Sequence, residues 1–129
     1  MKFLVFTDLH ENKKGLKELV KRASEKDIDF VVCCGDISTF GRGFENVLSH
    51  FNDLKKKFYA IPGNHEEHGT FFEDTMNKYP FCVSLDQKVV KIGSYQFLGY
   101  GGNGFSMEDK HFRKIARKWY GMFNGEKVV

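Results

Sequence analysis

Apolar and polar residues fall in blocks along this chain, and the block lengths set the predicted elements. Phe3-Leu4-Val5-Phe6 lies inside a short apolar run, Lys2–Thr7, that reads as a buried strand. Leu16, Leu19, Val20 and Ala23 then recur at i, i+3, i+4 and i+7, one face of a helix starting near Lys13, with Asn12 as its N-cap. Ile28–Cys34 is a second apolar run, rich in β-branched residues and without polar alternation, as expected of a strand buried on both faces. Phe44, Val47, Leu48 and Phe51 repeat the helical spacing, and Phe58–Ile61 is a third strand, closed by Pro62. Strand, helix, strand, helix, strand predicts a parallel α/β sheet with right-handed crossovers. Phe3–Phe6, Val31–Cys34 and Phe58–Ile61 are expected to be buried, under helices bearing Leu16, Val47 and Ile115.

The second half changes character. Thr70–Lys78 reads as a weakly patterned helix and Cys82–Leu85 as a short strand. Gln87–Ile92 and Tyr95–Leu98 flank Gly93-Ser94, a two-residue hairpin signal. A glycine-rich stretch, 99–104, reads as a turn, because it lacks the spacing of a phosphate-cradling loop. Phe112, Ile115, Ala116 and Trp119 mark another helix, and Lys127-Val128-Val129 the start of a further strand.

Composition narrows the class. At 129 residues, 41% hydrophobic, with 14 Phe, the chain has material for one core. A net charge of +3, from 20 basic and 17 acidic residues, is too mild to argue for nucleic acid. Lys55-Lys56-Lys57 reads as a solvated helix end. Three cysteines without a CxxC pair argue against a thiolate zinc site, and as free, buried thiols they suit a reducing cytoplasm. No apolar stretch approaches the roughly 20 residues of a membrane span.

Three polar clusters each follow a predicted strand: Asp8-Leu9-His10, Gly35-Asp36 and Gly63-Asn64-His65-Glu66. In open α/β sheets the ligand site lies beyond the carboxyl ends of the strands, so the three loops converge. Carboxylate oxygen with imidazole nitrogen suits borderline divalent ions such as Mn, Fe, Zn or Ni. Asp36 has two oxygens with which to bridge a pair of ions, and Asn64 offers a neutral amide oxygen. Simpler readings exist beside these: Asp8 or Asp36 as a cap, His65 as a hydrogen-bonded loop histidine, and His68 as a solvated one. His50 and His111 read as structural or exposed.

DxH, GD and GNH[D/E], in this order and each after a strand, resemble the opening half of the calcineurin-like metallophosphoesterase signature. The resemblance implies an α/β fold, a parallel βαβαβ core with an added antiparallel hairpin, within a four-layer α/β/β/α sandwich. It implies two divalent metal ions: Asp8 and His10 on the first, Asp36 bridging, Asn64 on the second. His65 would contact the substrate phosphate or protonate the leaving oxygen, Glu66 would support the ligands, and a metal-bridging hydroxide would attack phosphorus. The implied activity is hydrolysis of a phosphomonoester or phosphodiester. The family's later motifs, a histidine at a strand end and a GHxH loop, do not occur in these residues. Residues 1–129 are therefore expected to form one C-terminally incomplete domain with an open hairpin edge. A homodimer, or a complementary chain carrying the later motifs, would complete it. The alternative is a non-catalytic binding module of the same fold, or one part of a split enzyme.

Overall fold

The computed structural model describes residues 1–67, 69–102 and 107–129. Strand β1 (Phe3–Phe6), helix α1 (Lys13–Ala23), strand β2 (Phe30–Cys33), helix α2 (Phe44–Asn52) and strand β3 (Lys57–Ala60) follow the expected order. Asn12 caps α1, accepting from the Gly15 amide at 2.9 Å. Helix α3 (Phe71–Asn77) and strand β4 (Cys82–Ser84) come next; β4 joins the same sheet, so four parallel strands stand in the order β1-β2-β3-β4. Strands β5 (Lys88–Ile92) and β6 (Tyr95–Gly99) pair antiparallel, with Ile92 opposite Tyr95 across Gly93-Ser94. Gly93 has φ +60, the left-handed geometry that a two-residue hairpin needs at its first position. Helix α4 (Lys110–Tyr120) and strand β7 (Lys127–Val128) follow, β7 lying parallel beside β6.

Side chains alternate across the parallel sheet and build two cores. Phe6, Val31, Cys33, Phe58 and Ala60 face α1, α2 and α3, meeting Leu16, Val47, Leu48, Phe51, Phe72 and Met76. Phe30, Val32 and Tyr59 face the other way, onto Leu85 and Phe97 at the second sheet. Phe44, Phe51 and Phe58 are fully buried, each contributing about 2–3 kcal/mol by removal from water.

Several local expectations are corrected. Val5 is 52% exposed, and Phe3 and Leu4 are half-buried, because β1 is an edge strand. Helix α4 has an apolar stripe, yet Ile115, Ala116 and Trp119 stay half-buried and none of its residues is buried, so it does not cover the parallel core. Lys55-Lys56-Lys57 is not a solvated helix end. Lys56 Nζ donates to the carbonyls of Ala23 and Glu25, both at 2.6 Å, and Lys57 opens β3 and donates to the Pro80 carbonyl at 3.0 Å. The ammonium groups satisfy carbonyls at the end of α1 and ahead of β4. Cys34 is exposed, unlike the buried Cys33. No helix among the described residues is long and apolar enough to cross a membrane.

Candidate metal centre

The loops after β1 and β2 extend the strand ladder beyond its regular part. The amides of Asp8, His10 and Glu11 donate to the carbonyls of Gly35, Asp36 and Ile37 at 3.3, 3.2 and 3.5 Å. These contacts hold both loops in an unusual backbone. Asp8, His10, Glu11, Asp36 and Phe40 all have positive φ, between 43 and 59. Such left-handed non-glycine residues cost on the order of 1–3 kcal/mol each and cluster where geometry serves function.

The third loop closes onto the second through two glycines. A Cβ at Gly63 would overlap Asp36 Oδ1 and the Asp36 amide, and one at Gly35 would sit 2.7 Å from Gly63 Cα. Only bare backbones fit there, which is the physical reason for glycine ahead of both Asp36 and Asn64. Glu66, 1% exposed, locks the contact. Its Oε2 accepts from the amides of Asp36 (2.9 Å) and Gly63 (3.0 Å), and its Oε1 from the amide (2.8 Å) and hydroxyl (2.6 Å) of Ser38. The Asp36 carboxylate in turn accepts from the His65 amide at 3.2 Å through Oδ1.

His10, Asp36 and His65 thereby offer ligand-capable atoms within 4.8 Å of one another. The two imidazoles meet edge to face, 4.8 Å between centroids, and the segment 38–40 distinguishes them. His10 Nδ1 lies 3.3 Å from the Ser38 carbonyl, which can only accept, so Nδ1 carries a hydrogen and in the neutral ring Nε2 keeps its lone pair. His65 Nδ1 receives the Phe40 amide at 3.3 Å, so in the neutral ring Nε2 carries the hydrogen. In their neutral forms the two rings present opposite Nε2 atoms, a lone pair on His10 and an N–H on His65.

The donor set fits a divalent cation: an imidazole nitrogen prepared by a hydrogen bond on its far side, next to a carboxylate. Asp8 stands at the rim. Its carboxylate is 3.6 Å from His10 Nε2, while Thr7 Oγ1 donates to its Oδ2 at 2.7 Å, and the side chain is 61% exposed. Asn64, next to His65, lines a neighbouring cleft of about 610 Å³ with Glu67, Glu73, Asp86 and Asp109. There burial pushes the Asp86 carboxyl up, partly offset by the Gly101 amide, and burial with the Asp109 hydrogen bond pushes Tyr100 up to about 12. His111 borders this cleft, its Nε2 2.9 Å from Gln87 Oε1, and His50 is exposed and bonded to the Asn46 carbonyl. His68 and residues 103–106, including Asn103 and Gly104 of the glycine-rich stretch, lie outside the described residues. Ser38 and Phe40 were not singled out from the sequence; a serine and an aromatic residue soon after Gly35-Asp36 carry no motif by themselves.

A parallel sheet whose strand-end loops gather imidazole and carboxylate defines an α/β protein with a candidate metal site. The sequence profile of the calcineurin-like phosphoesterase family matches residues 1–125, and the chain belongs to that family. It is 33% identical over 105 residues to the uncharacterised protein MJ1162 of Methanocaldococcus jannaschii, covering 80% of this chain and 44% of that protein. One crystal structure superposes with a TM-score of 0.76 at 15% identity, over 98% of this chain and 66% of the other. The crystal structure of TT1561 of Thermus thermophilus gives 0.67 at 14% identity, over 78% of this chain and 48% of the other. These likenesses support the fold. The chain spans less than two thirds of the length of each of these relatives.

Proposed function

We propose that this chain carries the core of a metal-dependent phosphoesterase centre. His10, Asp36 and Asp8 would hold the metal ions, with Asn64 reaching in from the neighbouring cleft, and His65 would donate a hydrogen bond from its Nε2–H to the leaving oxygen. The observation that carries this reading is the opposed pair of tautomers, His10 donating to Ser38 and His65 accepting from Phe40. A pair of divalent cations bound by these side chains would polarise a phosphoryl oxygen and acidify a water. Asp36 accepts the His65 amide and so ties the backbone that carries the His65 ring to the ligand group. As the P–O bond breaks, the Nε2–H of His65 stabilises the charge growing on the leaving oxygen, and the attacking water supplies both the new oxygen on phosphorus and the proton that the departing alcohol takes up. Further ligands come, in this reading, from polypeptide outside these residues, in the same chain or a second one. The substrate is a phosphoester.

The test is hydrolysis of 4-nitrophenyl phosphate and bis(4-nitrophenyl) phosphate with added Mn²⁺ or Zn²⁺, then with excess chelator. The faster substrate assigns monoester or diester chemistry. Chelation should abolish turnover, and His65→Ala should lower it by about 10²–10³-fold. Full activity in chelator, or an unaffected His65→Ala, would overturn the proposal.

A further inference from the structure

Phe40 is an anomaly that the ligand group does not explain. Thr39 and Arg42 bridge each other, and Phe40-Gly41 between them form the tip, with φ +51 and +80. A tip with two left-handed residues favours Asn-Gly or Gly-Gly. A phenylalanine there bears steric cost, and it remains 67% exposed, so burial does not offset that cost. Its ring instead lies 4.4 Å from the His65 imidazole, tilted by 47°. Beyond it opens a hollow of about 210 Å³ bounded by Phe40, Arg42, His65 and Phe71. Phe71 is 37% exposed and packs over Gly41, where a Cβ would meet its ring at 3.1 Å. Among the described residues no carboxylate forms a salt bridge with the exposed Arg42.

We propose that Phe40, Phe71 and Arg42 form a leaving-group subsite for a planar aromatic ring, either a nucleobase or an aryl group. This rests on the reading of His65 as hydrogen-bond donor to the leaving oxygen, because the leaving group must then lie on the side of His65. That side presents two aromatic rings and a guanidinium, which can stack on a flat π system or pair with an anionic substituent. Stacking of this kind contributes a discrimination of about 5- to 150-fold.

The test compares substrates that share a leaving oxygen and differ in the ring. Adenosine 5′-phosphate is set against ribose 5-phosphate, and 2-phenylethyl phosphate against propyl phosphate, reading KM, kcat and calorimetric affinity. The protein should favour the ring-bearing member at least about fivefold in at least one pair, and the pair that responds names the source of the ring. Phe40→Ala and Phe71→Ala should each collapse that ratio towards one, with the ring-free substrate as internal control for folding. Ring-dependent affinity without hydrolysis would defeat a phosphomonoesterase reading and retain the subsite. Hydrolysis with equal affinity within both pairs, or a ratio that survives both substitutions, would overturn the subsite.

Discussion

Ser38 and Glu66 meet through two hydrogen bonds onto one carboxylate oxygen, from the serine amide at 2.8 Å and its hydroxyl at 2.6 Å. The other oxygen accepts the amides of Asp36 and Gly63, so one buried side chain ties the second loop to the third. Glu66→Ala would leave these donors without an acceptor. Buried unsatisfied donors cost about 1–3 kcal/mol each, so a loss of at least about 3 kcal/mol in urea unfolding is expected. Glu66→Gln should also destabilise, because its NH2 would face two N–H donors. Wild-type stability of both variants would show that the loops do not depend on this carboxylate.

Gly63→Ala and Gly69→Ala separate steric overlap from backbone preference. At Gly63 the new methyl would overlap the Asp36 carboxylate and amide. At Gly69 nothing lies within 4 Å and only φ +63 resists a side chain. Gly69→Ala should cost about 1 kcal/mol. Gly63→Ala should cost more and should also weaken binding of Mn²⁺, since Asp36 must move. Equal stability loss with intact metal affinity would contradict the arrangement of these loops.

Thiol reactivity should follow burial. Cys82 is pushed up to about 12 by burial, and Cys33 is raised well above the usual thiol range, first by burial. A raised pKa leaves less thiolate at a given pH, so both should alkylate slowly at pH 8. Cys34, raised less and exposed, should label first with iodoacetamide and be followed by the others only on unfolding. Early labelling of Cys82 in the folded protein would contradict its placement beside the α-helical core.

Much of this was legible in the sequence because three apolar runs end in chemically distinctive loops. The strand ends place Asp8, His10, Asp36 and His65 beyond the carboxyl end of the sheet, and Asn12 caps α1 as its side chain requires. Phe40 was not legible: its ring and amide reach His65 only because the tip takes a left-handed backbone that its residue type disfavours. The stripe of α4 was legible, but periodicity does not say which surface it meets, and that helix buries none of its residues. Lys56 was misread because its partners, the carbonyls of Ala23 and Glu25, lie 33 and 31 residues earlier and only the folded chain brings them near.

The most direct test of the account is calorimetric Mn²⁺ binding to the protein and to its Asp36→Ala and His65→Ala variants. His10 and Asp36 are read as ligands, and His65 as a ring whose Nε2 carries a hydrogen. Asp36→Ala should therefore lose metal affinity by at least about tenfold, while His65→Ala binds as the wild type does. Undiminished binding by Asp36→Ala, or a loss in His65→Ala as large as that in Asp36→Ala, would contradict it.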